Sequence, residues 1–267
     1  MCSSDLLAGA LAAAKLGLRV AHVEAGLRAF DRSMPEELNR VLVDHMAHWH
    51  FAPSPTAVTN LAREGISGDG VHLVGDVMYD AVRAFAPAAR LPPGCAGLTD
   101  GGYLLATVHR AGTTDDPRRL RAVLAALRAL ARETELVLPL HPRTRARVAE
   151  AGESLAGLRV IEPAGYLGML ALTRGARVVL TDSGGLQKEA YWLGRPCVTL
   201  RENTEWVELT ETGRNTLVGT DTAAIIEGTY RMMMLAPSVP DPLYGDGHAA
   251  DRIAAILTGG VLPQDSC

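Results

Sequence analysis

Basic charge is not in excess in this chain of 267 residues: the formal net charge is −4 and the isoelectric point lies near 6.1. A face that tracks phosphates over many base pairs needs clustered lysine and arginine, so the composition argues against nucleic acid as a partner. Cysteine is sparse as well. Cys2, Cys95, Cys197 and Cys267 show no paired spacing, which indicates neither a zinc site nor a disulfide framework and makes a reducing, cytoplasmic setting the expectation. Long apolar runs are missing too. The alanine-rich stretch from Leu6 to Leu18 falls short of the roughly 18 residues of a membrane span and lacks the flanks of a signal peptide, so no membrane partner is expected.

What is present is a chain that is 48% hydrophobic, enough for one large domain or up to two ordinary ones. Short apolar runs alternate with longer helical patterns: LRVAHV (18–23), WHFAP (49–53), VHLVG (71–75), YLLATV (103–108), ELVLPL (135–140), RVVLT (177–181) and PCVTL (196–200). This alternation predicts βαβ units and a parallel sheet. Because each run is nearly all apolar, the strands are expected to be covered by helices on both faces. The proline- and glycine-rich stretch 86–102 reads as an interdomain linker. It separates a first unit (1–85) from a second (103–240), and residues 241–267 are expected to form a helix and tail that pack back on the first. With only about three strands, the first unit falls short of a doubly wound domain. A helix follows Met1-Cys2-Ser3-Ser4-Asp5-Leu6 with no strand to deliver it, and CSSDL is also one reading frame of a common sequencing adapter. Residues 1–6 are therefore expected to be foreign, and the first unit to lack its beginning.

Three clusters carry chemistry. In VVLTDSGGLQKEA (178–190) an apolar strand turns through Ser183-Gly184-Gly185 into a helix. The free N–H groups and dipole of a helix start attract anions, and two glycines let a diphosphate approach the backbone. A plain capped helix would look the same, and Glu189 could equally meet ribose hydroxyls or be a solvated helix charge. In the second cluster, ATVHRAGTTDDPRRL (106–120), His109 and Arg110 leave a strand at its carboxyl end, where parallel sheets bind ligands. His141, in LPLHPRTR (138–145), ends a strand likewise. The third cluster is AHVEAGLR (21–28) with MPEELNR (34–40). Pro35, Glu36 and Glu37 make a good helix start, which accounts for both acids structurally. Glu24, a carboxylate closing an apolar strand beside Gly26, either caps something or acts as an acid or base.

HVEAGLR, MPEELNR, GDVMYDA (75–81), TVHRA, LPLHPRTR, TDSGGLQKEA, CVTLRENTEW (197–206) and YGDGHAADRI (244–253) occur in this order. Together they closely resemble the non-hydrolysing UDP-N-acetylglucosamine 2-epimerases, from Leu7 to the final helix. The resemblance implies an α/β fold of two Rossmann-like domains, as in B-type glycosyltransferases, with the first one incomplete here and the active site in the cleft between them. It implies inversion at C2 of UDP-N-acetylglucosamine by elimination and re-addition of UDP, no cofactor, no metal, and a homodimer. Glu24 and Glu36 match the family's catalytic carboxylates, and His109 the histidine near the diphosphate. Ser183, Gly184, Gly185 and Glu189 match its UDP contacts. Met169 falls where the family packs an apolar side chain on uracil, although a core position would explain it as well.

The departures bear on activity. The family's glycine-arginine-proline loop and the Gly-Asp-Thr segment with a third catalytic acid should precede Leu7, and Asp5 does not align with that acid. UDP binding without turnover is thus expected of residues 1–267 alone. Gly112 and Thr113 stand where relatives usually carry Glu and Asn. Trp206 stands where many have an arginine facing the nucleotide. QKEAYW and TEWVEL resemble a branch that includes epimerases of UDP-2,3-diacetamido-glucuronic acid, so that sugar is the alternative substrate. A glycosyltransferase of the same fold, or an inactive UDP-binding fragment, are the alternatives of another class.

Overall fold

A computed structural model describes residues 3–32, 34–238 and 241–259; Met1 and Cys2 of the opening hexapeptide, and the tail 260–267 with Cys267, lie outside the described residues. The chain divides into two compact units, Met1–Ala84 with Pro242–Cys267, and Phe85–Asp241. In chain order the elements are α1 (Ser3–Lys15), β1 (Ala21–Val23), α2 (Pro35–Met46), β2 (Trp49–Ala52), α3 (Pro55–Arg63), β3 (Val71–Leu73), α4 (Val77–Phe85) and β4 (Tyr103–Thr107). They continue with α5 (Ala111–Thr114), α6 (Pro117–Leu130), β5 (Glu135–Pro139), α7 (Pro142–Glu150), β6 (Arg159–Ile161), α8 (Tyr166–Gly175) and β7 (Val178–Thr181). Last come α9 (Gly184–Trp192), β8 (Cys197–Thr199), α10 (Val207–Glu211), β9 (Asn215–Leu217), α11 (Thr222–Met233) and α12 (Ala249–Thr258). Several helices start where the sequence puts a short polar residue before proline. Ser54 Oγ accepts from the Ala57 amide ahead of Pro55, and Asp116 accepts from the Arg118 and Arg119 amides around Pro117.

Both sheets are parallel. The first unit has three strands in the order β1-β2-β3, and the second has six in the order β6-β5-β4-β7-β8-β9. Strands β6 and β9 are not legible as apolar runs. Each spans three residues and sits at a sheet edge, where half a strand's surroundings are enough.

Coverage on both faces is most complete in the second sheet. There, Leu104, Ala106, Leu136, Leu138, Val178 and Leu180 pack to one side against Val123 and Leu127 of α6 and Ile225 and Met232 of α11. Leu105, Val137 and Val179 face the other way, onto Leu172 of α8 and Leu186 and Ala190 of α9. Each such buried valine, leucine or isoleucine contributes about 2 kcal/mol of transfer free energy. In the first sheet the expectation holds at the central strand, where His50, Phe51 and Ala52 are all buried, and fails at the outer ones: His22 is buried but its neighbours Ala21 and Val23 are exposed, and Leu73 is 55% exposed. A strand of three residues with period-2 alternation has only one face to bury there. One small core cluster joins Ala10 of α1 and Val43 of α2 to Val20, and Phe51 of β2 and Leu61 of α3 are fully buried as well.

The stretch 86–102 is fixed to the second unit. Cys95 is fully buried in the Leu105 cluster, Arg159 donates to the carbonyls of Gly94 and Ala96, and the Gly101 amide donates to Gly175. Residues 244–252 belong to the first unit through polar contacts. The Asp76 amide donates to the Tyr244 carbonyl, and the Ala249 and Ala250 amides at the start of α12 donate to the Asp80 carboxylate. That carboxylate sits at the helix N-terminus, where the dipole favours it. Among the described residues no helix is long and apolar enough to cross a membrane.

Candidate active site

Strands β4 and β7 lie side by side in the six-stranded sheet, and the chain leaves them in opposite directions, β4 toward β5 and β6, β7 toward β8 and β9. The strand order therefore reverses between their carboxyl ends, which is where open parallel sheets form ligand crevices. His109 follows β4 at this point and Ser183 follows β7. The two loops are stitched together. Thr107 and Thr181 share a hydroxyl hydrogen bond of 2.7 Å across the strand ends. Beyond them the fully buried Asp182 accepts from the amides of His109 at 3.0 Å and Arg110 at 2.9 Å, and its Oδ1 lies 3.2 Å from His109 Nδ1. A buried carboxylate is tolerated only when its oxygens are so occupied. The His109 side chain, about half exposed, is thereby oriented through Nδ1, which leaves Nε2 on the far side of the ring.

Helix α9 is buried along its length except at its beginning: Ser183, Gly184 and Gly185 are partly exposed, and Leu186 to Trp192 are buried. The element thus offers its surroundings little but its N-terminal amides, the end that attracts anions. Ser183 caps it, Oγ accepting from the Leu186 amide at 3.5 Å, while the Ser183 amide donates to Thr181 Oγ1. At Gly184 a side chain would make its neighbours shift. A Cβ there would stand 2.8 Å from Glu205 Oε1 and 3.3 Å from Trp206 Nε1. Trp206 is itself buried, with the Lys188 ammonium 3.9 Å from the centre of its ring. Gln187 ties this end to the loop after β8 and to β9, its Oε1 accepting from Thr204 and Asn215. Glu189 is buried, and desolvation pushes its carboxyl up to about 7 although Lys188 pulls the other way.

In the first unit, Glu24 follows β1 with φ of 65°, a left-handed conformation that costs a non-glycine residue about 1–2 kcal/mol. Strain of this kind collects at functional positions. Two residues on, Gly26 also has positive φ, and a Cβ there would lie 2.3 Å from the Ala57 carbonyl oxygen. Glu36 is the second residue of α2 and half buried. Its neighbour Glu37 has a purely structural post, accepting from the Ala29 and Phe30 amides at 2.9 Å and so fastening the loop after Glu24 to the start of α2.

The sequence profile of a family described as UDP-N-acetylglucosamine 2-epimerase matches residues 3–258. The chain belongs to that family. It is 45% identical to the UDP-2,3-diacetamido-2,3-dideoxy-D-glucuronate 2-epimerase of Pseudomonas aeruginosa, across 96% of this chain and 72% of that one. It is 40% identical to a UDP-N-acetylglucosamine 2-epimerase of Methanococcus maripaludis, across 98% of this chain and 74% of that one. Among solved structures, the Methanocaldococcus jannaschii UDP-GlcNAc 2-epimerase in complex with UDP-GlcNAc and UDP is 40% identical and superposes with a TM-score of 0.88 over 96% of this chain and 73% of that one. The α/β fold with parallel sheets is the one those epimerase structures have.

Of the residues singled out in the sequence, the second unit brings His109, Arg110, Ser183, Gly184, Gly185 and Trp206 to the switch point or to the α9 terminus beside it. Two others have bland posts. His141 caps α7, its Nδ1 accepting from the Arg143 amide at 3.2 Å. Met169, on α8, is half buried against the cluster that holds Leu186. Sequence reasoning missed Asp182, Gln187 and Lys188. All three stand inside TDSGGLQKEA, and the signal was available: a carboxylate directly after a fully apolar strand has no cheap way to be buried unless amides meet it.

Proposed function

We propose that the protein is a non-hydrolysing UDP-N-acetylglucosamine 2-epimerase that converts its substrate to UDP-N-acetylmannosamine. The observation that carries the reading is the match to epimerases over nearly the whole chain, with both candidate carboxylates and the Ser-Gly-Gly helix start in it. In this reading the amides of Gly184 and Gly185 bind the diphosphate, and His109, held by Asp182, faces its charge. A carboxylate, Glu24 or Glu36, removes the C2 proton while the C1–O bond breaks and its electron pair leaves with UDP. The bound glycal then takes a proton at C2 on the other face, and the UDP oxygen re-forms the bond to C1. No water is consumed and no electrons are exchanged, so no cofactor is called for. Arg110 and Glu189 complete the nucleotide contacts, Trp206 backs them, and Met169 and His141 are the weakest members of the set. Two buried free thiols, Cys95 and Cys197, agree with a reducing cytoplasm. A homodimer is the expected assembly, checked by sedimentation.

Incubation with UDP-N-acetylglucosamine in D2O tests the chemistry. Deuterium at C2 of both epimers is the outcome of the epimerase reading and would overturn the expectation of binding without turnover; UDP release without deuterium would sink the epimerase reading and favour a transferase. The 45% identity to the diacetamido-glucuronate enzyme supports a second substrate, UDP-2,3-diacetamido-glucuronic acid. Offering the two sugars in competition decides between them, the preferred one acquiring deuterium first.

A further inference from the structure

Asp44 lies two turns along α2 from Glu36, its side chain fully buried. One carboxylate oxygen is 2.5 Å from His22 Nδ1; the other accepts from the Gly26 amide at 3.1 Å and pairs with Arg28 at 2.8 Å. His22 precedes Glu24 by two residues and Gly26 follows it by two, so a single carboxylate grips the chain on both sides of the strained turn. Other bonds close the grip. The Ala25 amide donates to the Phe51 carbonyl, Asn60 donates to the Gly26 carbonyl, and Arg28 forks onto Glu64 with two bonds of 2.7 Å. Burial alone would raise the Asp44 carboxyl, yet His22 and Arg28 hold it below the usual range, so the clamp is charged.

We propose that Asp44 is a positioning residue that holds Glu24 in its left-handed turn, so that α2 both carries Glu36 and aims Glu24. The inference rests on Glu24 being an acid–base group of the epimerase. A carboxylate displaced by about an ångström loses rate without losing substrate, and the clamp touches nothing that binds UDP in the reading above.

The test compares Asp44→Asn, which preserves shape, with Glu64→Gln, which weakens the same arginine pair from its outer end without touching His22 or Gly26. D44N is expected to lower kcat at least tenfold with KM for UDP-N-acetylglucosamine within twofold, while E64Q keeps kcat within threefold. The backbone NMR shifts of Glu24 and Gly26 should leave left-handed values in D44N only. D44N with kcat within threefold of the parent, an equal kcat loss in E64Q, or unchanged Glu24 and Gly26 shifts would each overturn the proposal. If the parent protein places no deuterium at C2, the epimerase reading fails by itself, and the NMR comparison still decides whether Asp44 holds the turn.

Discussion

The two units secure their candidate functional groups by different physical means. In the second, a six-stranded sheet buried on both faces delivers backbone: strand ends at a switch point, a buried helix with only its first amides open, and one carboxylate, Asp182, that serves as an acceptor for the loops. In the first, a three-stranded sheet buried on both faces only at its central strand supplies less packing, and the Glu24 loop is held by the polar side chains of His22, Arg28 and Asp44, with Glu64 meeting the arginine from its outer end. Backbone dipoles fixed in a packed sheet suit a ligand that must be held through a reaction without reorganisation. A strained turn under a charged clamp suits a group that must exchange protons from one orientation.

That contrast predicts separable losses. Glu24→Gln should reduce deuterium incorporation at C2 about a thousandfold, while UDP affinity measured by calorimetry stays within threefold; a parallel loss of both would erase the division of labour. Asp182→Ala should do the reverse in kind. It leaves the His109 and Arg110 amides without their acceptor and is expected to cost about 2–4 kcal/mol of stability with at least a tenfold loss of UDP affinity, read by denaturant unfolding and calorimetry.

The buried Glu189 sharpens the comparison through pH. Its carboxyl is raised to about 7 in the folded chain from an ordinary value of 4.5, so the native state holds the proton where the unfolded chain has released it. Stability from this group is full below about 4.5 and falls as pH rises to about 7, by up to about 3 kcal/mol. Glu189→Gln should flatten that decline in a series of thermal melts from pH 4.5 to 7.5; an unaltered slope would show that the carboxyl is not carrying it. The smallest effect belongs to Ser183→Ala. With a capping bond as long as 3.5 Å, the loss should be about 0.5 kcal/mol, a shift of about 1–2 °C in melting temperature.

Legibility in the sequence followed the same divide. Wherever a residue's role depends on local chain geometry, it could be read: the helix start at Ser183, the Asp116-Pro117 cap, the apolar strands β4, β5, β7 and β8. The edge strands β6 and β9 escaped because pairing with a neighbour, not composition, makes them strands. The two-faced burial expected of every strand failed at β1, where exposure is decided by what else packs on the sheet. At the site, His109 and Ser183 could be singled out separately, but their stitching by Asp182 could not, since it joins positions 73 residues apart.

By itself, then, the sequence determined the βαβ order, the anion-ready start of α9 and the family, because helix capping, glycine geometry and an ordered set of long motifs are properties of neighbouring residues. Only the tertiary structure decided that Asp44 grips both sides of Glu24, that Glu205 and Trp206 crowd Gly184, and that Lys188 lies against Trp206. Those contacts depend on which distant groups are driven out of water together, and burial of that kind is settled by the packed fold rather than by any stretch of chain.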